Sequence, residues 1–178
     1  MTKEKKKNSQ VFLLSMVFTA LLMALYVVLS QFLSIRIGSF LKIGFAFFPA
    51  AVAARLFGPA GGIAVYALGD MIGGILFPTG GAYYPGFTVT YVLMGLVYGI
   101  CFYRKSSVVR VAIAAVLNMG LFSLLLNSFW LSRLYGSEFL PLLATRWPQS
   151  LGMCAVQIII LSLVLERLCR PIEKKFLR

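Results

Sequence analysis

Apolar positions in this chain come in long blocks, not in the alternation of a half-buried strand, and the blocks are separated by short polar or glycine-proline breaks. Val11 to Leu33 carries no charge, follows the cluster "KEKKK", and is long enough for the roughly 20 residues a helix needs to cross a bilayer. It exceeds a signal-peptide core, and no small-residue cleavage site follows it. Ile43 to Phe57 is a shorter block ending at "GPAGG", and Gly62 to Leu76 is a second short one. A tight turn at Pro59 is expected to join them. Phe87 to Tyr103, Val108 to Leu131 and Leu151 to Leu168 complete the set. No linker, repeat or low-complexity stretch divides them. The pattern predicts an all-α integral membrane protein: one domain over residues 1–178, a compact bundle of six transmembrane helices, with basic tails at 1–9 and 169–178.

Composition agrees, since 60% of the residues are hydrophobic and the mean hydropathy is +0.90. A net charge of +12 in a soluble chain would suggest nucleic acid, but here the cations cluster between and beyond the apolar blocks. Placing both termini in the cytoplasm puts the N-terminal lysines, Arg55, Arg104, Lys105, Arg110, Arg167, Arg170, Lys174, Lys175 and Arg178 inside. Only Arg36, Lys42, Arg133 and Arg146 remain outside, as the positive-inside rule requires. The charge reports topology, and no nucleic-acid partner is expected.

Several chemistries have no candidates. The chain has no histidine, and Cys101, Cys154 and Cys169 are too far apart to suggest a metal-ligand pair, so no catalytic residue, metal or cofactor is expected. No phosphate-binding G-x-x-x-x-G-K-[ST] loop is present, so uphill transport would draw energy from a partner or an ion gradient.

Polar residues inside the apolar blocks carry the remaining information. Asp70 sits in the middle of the third block, where a carboxylate costs about 2.5 to 3.5 kcal/mol. It reads either as a ligand or proton site or as an internal ion pair with Arg36 or Arg146. Gly120, Ser123, Asn127 and Trp130 fall on one face of the fifth helix, and Arg146, Ser150, Met153 and Gln157 on one face of the sixth. Such stripes either bond helix to helix or line an outward cavity. Between the third and fourth blocks, "FPTGGAYYPGFT" combines Pro78 and Pro85, Gly80, Gly81 and Gly86, and the rings of Phe77, Tyr83, Tyr84 and Phe87. It reads as a hinged lid over an aromatic ligand, or as an interfacial aromatic anchor.

The stretches "IGFAFFPAAVAARLFGPAGG", "ALGDMIGGILFPTGGAYYPGFT", "LNSFWLSRLYG" and "RWPQSLGMCAVQ" resemble the substrate-binding S components of energy-coupling factor (ECF) vitamin transporters, specifically the folate type. The resemblance runs over nearly the whole chain. It implies a non-enzymatic subunit in the plasma membrane of a prokaryote that captures vitamin outside and docks on a transmembrane coupling subunit driven by two ATPases. It further implies toppling of the whole subunit in the bilayer. Ala20 and Ala24 match the family's Ala-x-x-x-Ala docking motif, a spacing that lets helices approach closely.

Folate suits these residues. Its rings would stack on Phe77, Tyr83, Tyr84, Phe87 or Trp130, with Pro85, Gly86 and Thr88 in the same segment. Asn127, Gln157 and Asp70 would meet the pterin edge, and Arg36, Lys42, Arg133 or Arg146 the glutamate carboxylates. Three other readings stay open: an S component for another vitamin, a stand-alone carrier using Asp70, and a non-transporting membrane scaffold.

Overall fold

The computed structural model describes residues 3–37, 41–77, 83–104 and 107–176, most of them helical. In chain order these are α1 (Lys3–Gln31), a ribbon of β1 (Ile35–Ile37) and β2 (Leu41–Ile43), α2 (Phe47–Ile63), a π-helical segment (Ala64–Leu68), α3 (Gly69–Leu76), α4 (Pro85–Phe102), α5 (Val108–Val116), a second π-helical segment (Leu117–Leu126), α6 (Asn127–Tyr135) and α7 (Phe139–Phe176). Among the described residues, five stretches are long and apolar enough to cross a membrane: Phe12–Gln31, Phe47–Leu76, Pro85–Phe102, Val108–Tyr135 and Phe139–Ile172. The described residues thus form a helical membrane protein.

The stretch Phe47–Leu76 is not one straight rod. Gly58 has φ 73° and ψ −158°, a conformation open in practice to glycine alone, and Pro59 follows it. Beyond this point the chain folds back on itself. A Cβ on Gly62 would lie 3.0 Å from Cβ of Ala54, whereas eight residues along a straight helix span about 12 Å. The far end confirms the reversal: Gly69 abuts Tyr26, Gly73 abuts Gln31, and the Phe77 ring lies 5.2 Å from that of Phe32. The stretch therefore starts and finishes beside the C-terminal end of α1, and the turn expected at Pro59 is where the sequence placed it.

Helix α4 packs on the returning arm through bare backbone. A Cβ on Gly95 would sit 2.7 Å from the Gly62 carbonyl group, and Gly99 lies against Pro59 in the same way. Around this contact, Ala50, Ala51, Ala53, Ala54, Val65, Tyr98 and Phe102 are fully buried. The outside is as apolar as the inside: Phe12, Leu13, Met16, Val17 and Leu21 of α1 are all exposed, the surface a bilayer solvates.

Three local expectations need correction. The triplets "IRI" and "LKI" pair antiparallel, Arg36 opposite Lys42, where the sequence reading had only helices. Their apolar-charged-apolar alternation is the period-two strand signal. Pro85 and Gly86 belong to the first turn of α4 with Phe87 and Thr88 instead of to a loop before it, with Pro85 at the helix start. Proline's missing N–H costs nothing there. Helix α7 begins at Phe139, well before Leu151. Hydropathy set the expected start, and Arg146, Trp147, Pro148 and Gln149 lower apolarity without ending the helix.

Candidate functional site

A cavity of about 120 Å³ lies at the end of the bundle where α1 finishes and α2 begins. Helix α1 contributes Tyr26, Ser30 and Ser34 just beyond it; the start of α2 gives Phe47, and Tyr66 and Tyr91 come from the first π-helical segment and α4. Met119, Ser123 and Asn127 enter from the fifth span, and Arg146, Ser150, Met153 and Gln157 from α7. The two stripes read from sequence therefore meet at one place. The α7 stripe arrives whole. In the fifth span Gly120 and Trp130 fall outside the lining and Met119 joins it, leaving contacts every four residues. Residues Leu117–Leu126 are π-helical, and wider i→i+5 turns favour that spacing over the α-helical three-four-three.

The walls are tyrosines. Tyr66 and Tyr91 stack with centroids 5.6 Å apart at 25°, and Tyr26 meets Tyr66 edge-on at 5.6 Å. Against them stand polar groups with unused capacity. Arg146, only 7% exposed, donates from Nη1 to Ser128 Oγ at 3.4 Å, while its Nε is buried with no hydrogen-bond partner. Asn127 Oδ1 and Gln157 Nε2 are likewise buried without a partner. An unsatisfied buried polar atom costs about 1–3 kcal/mol, and more when charged. Three such groups on one cavity describe a site for a ligand that is flat, polar at its edge and negatively charged.

The other expected site residues are placed elsewhere. Tyr83 and Thr88 share a hydrogen bond of 2.6 Å between hydroxyls, and Thr88 Oγ1 donates to Asp70 at 3.1 Å. Asp70 thus ties the start of α4 to α3 and does not line the cavity. Tyr84 packs on Trp130 at 5.8 Å and on Phe87 at 6.1 Å, and Trp130 Nε1 donates to Thr90 Oγ1 at 3.1 Å. Gly86 lies under two of these rings, and a Cβ there would come within 2.6 Å of Tyr84 and 2.5 Å of Trp130. Its φ is not positive, so its role is close approach and not the hinge suggested above. Phe77 contacts Phe32, outside the lining. Arg133 is exposed, its guanidinium 5.5 Å from the Phe129 ring. Pro78, Thr79, Gly80 and Gly81 lie outside the described residues, as do the side chains of Arg36 and Lys42.

Tyr26, Ser30, Ser34, Tyr66 and Tyr91 were not singled out from sequence. A signal existed: Tyr26, Ser30 and Ser34 repeat every four residues at the end of an otherwise apolar helix, which places them on one face.

At the opposite end a larger cleft of about 780 Å³ separates α1 from the Gly58 turn, lined among others by Ser15, Thr19, Ala20, Phe57, Ala60 and Arg104. Ala20 and Ala24 are both exposed.

Residues 14–168 match the family model described as "ECF transporter, substrate-specific component". The chain belongs to this family. An S component binds substrate and is not an enzyme; ATP hydrolysis falls to the ATPases that join it through the coupling subunit. Among its relatives, the folate transporter FolT of Clostridium novyi (strain NT) is 35% identical over 147 residues, covering 82% of this chain and 84% of that one. A crystal structure of FolT bound with folic acid superposes with a TM-score of 0.80 at 32% identity, over 87% of this S component and 96% of that chain. The S component for biotin from an ECF-type transporter shares the fold, with a TM-score of 0.69 at 19% identity over 96% of this chain and 95% of that one.

Proposed function

We propose that this S component captures folate outside the cell and delivers it inward as the specificity subunit of an ATP-driven ECF transporter. The observation that carries this reading is the buried Arg146, with its unpartnered Nε, beside the unpartnered Asn127 Oδ1 and Gln157 Nε2 in a tyrosine-walled cavity. Tyrosine faces suit a pterin ring and the two amides suit its donor-acceptor edge, while a guanidinium suits an anionic or strongly accepting group. A cavity of about 120 Å³ takes one end of so long a molecule. The remainder would reach toward Tyr84, Phe87 and Trp130, with Arg36, Lys42 and Arg133 as further outward cations.

The reversal at Gly58 supports six membrane crossings, the second of them short, with both termini cytoplasmic and the cavity opening outward. On this topology the Ala20–Ala24 face of α1 meets the coupling subunit, and the protein resides in the plasma membrane. Asp70, held by Thr88, serves as an anchor of the α3–α4 junction, which weighs against a stand-alone carrier using it as the ion site.

Equilibrium titration of the detergent-purified chain with folic acid tests the reading. Tight binding without partners or ATP is expected, and Arg146→Met should weaken it by about 30-fold or more, the effect of truncating one partner of a buried charged contact. No folate binding, with saturable binding of another vitamin, overturns the substrate; an unchanged affinity in Arg146→Met overturns the role of that cation.

A further inference from the structure

Gln157 is completely buried, and its two amide ends do different things. Oε1 accepts a hydrogen bond of 2.8 Å from the hydroxyl of Tyr98, while Nε2 has no partner and the residue lines the cavity. Tyr98 is itself fully buried and does not line the cavity. Its ring stacks on Phe102 at 4.9 Å and leans on Tyr66 at 5.7 Å, so the phenol has one position. A phenol has one proton to give, and here it goes to Gln157 Oε1.

An amide side chain can present either its carbonyl or its NH2 to a ligand, and the two ends have nearly the same shape. What fixes the choice is the partner on the other side. Here the partner is a donor, so the carbonyl is held inward and the NH2 faces the cavity.

We propose that Tyr98 is a positioning residue that sets ligand specificity: by donating to Gln157 Oε1 it makes Gln157 a donor toward the cavity, selecting a 4-oxo pteridine, which accepts at that edge, over the 4-amino ring, which donates. The inference rests on the folate reading and adds to it which ring chemistry the site accepts. A wrong ring leaves a buried donor facing a donor, and sites built on buried hydrogen bonds discriminate strongly for this reason. Tyr98 acts through Gln157 and touches no ligand.

The test compares affinities of folic acid and its 4-amino analogue for the purified wild-type chain and two variants. The wild type should favour folic acid by about tenfold or more, the factor that one net hydrogen bond of about 1.4 kcal/mol supplies. Tyr98→Phe keeps the ring packing and frees the amide to turn, so the ratio should fall to about threefold or less, chiefly through tighter binding of the analogue. Gln157→Glu keeps Tyr98 as donor and offers only an acceptor to the cavity, so the preference should reverse. If Tyr98→Phe does not fold, a preference that fails to reverse in Gln157→Glu still overturns the proposal. A ratio unchanged in both variants, or equal weakening of both ligands, overturns the positioning role. Absence of any pteridine binding by the wild type removes the folate reading and this inference with it, and is told apart from a failure of positioning because no variant is needed to see it.

Discussion

Helix α1 is considerably more apolar than the hairpin Phe47–Leu76, yet in their most apolar windows only 6% of α1 and 67% of the hairpin are buried within the protein. Hydrophobicity does not make the difference, because a bilayer accepts Leu and Phe as readily as a protein core does. Side-chain size does. The hairpin carries Ala50, Ala51, Ala53, Ala54, Gly58, Gly61 and Gly62, so backbones meet and water, lipid and voids are excluded together. Helix α1 presents Phe12, Leu13, Met16, Val17 and Leu21 outward and touches the hairpin along only part of its length. In a membrane, small residues mark what is fixed. A helix with large residues outside and two alanines on its exposed face has a surface available to something else.

The contrast breaks most severely at the hairpin. Gly95→Leu drives a side chain into the Gly62 backbone, which cannot yield as a flexible side chain would. A loss of about 3 kcal/mol, the upper end for overpacking a core, is expected. Thermal unfolding in detergent, read by tryptophan fluorescence, should show it, and an unaltered midpoint would mean that the hairpin is not the rigid frame. Replacing Ala20 and Ala24 together with Trp on α1 should do the opposite: folding and folate affinity stay within about twofold, while ATP-dependent uptake by the reconstituted complex drops below about a tenth, because the bulk falls where a partner helix must approach. Normal uptake by that variant would remove α1 as the docking face.

Smaller effects belong to the rim. Tyr83→Ala combined with Tyr84→Ala removes the Asp70–Thr88–Tyr83 link and the ring on Trp130, but no residue lining the cavity. Folate release, followed by stopped-flow fluorescence quenching, should accelerate by about three- to tenfold, since losses at a contact surface usually appear in the off-rate. A release rate equal to wild type would reduce these rings to interfacial anchors. Asp70→Asn, which keeps an acceptor for Thr88, should change folate affinity by less than about threefold, and a larger loss in the same titration would return Asp70 to the ligand.

The sequence revealed the parts of this molecule that depend on period and composition. Apolar blocks located the helices, "GPAGG" marked the reversal, and three- and four-residue spacings put Asn127 on one helix face and Arg146 and Gln157 on another, the faces that meet at the cavity. It was less informative where the controlling quantity is a distance between distant segments. Phe77, Tyr84 and Phe87 looked like the stacking surface because they are dense in sequence; Tyr26, Tyr66 and Tyr91 are isolated in three different helices and become a wall only on packing. Gly86 read as a hinge from residue type alone, whereas the reason for glycine there is the Trp130 ring above it. Tyr98, buried one layer behind Gln157, has no sequence signature at all.

The π-helical segment Leu117–Leu126 has one consequence for how the binding site can change over generations. Each residue of an α-helix turns the chain by about 100°, and a wide turn holds an extra residue without breaking the helix. Deleting a single residue there would let the segment tighten to α and would swing everything upstream around the axis, carrying Met119 away from the cavity while Asn127 and α6 stay in place. One codon lost would thus replace the Met119 contact and reorient the upstream helix in a single step, while the tyrosine walls and Asn127 keep their places.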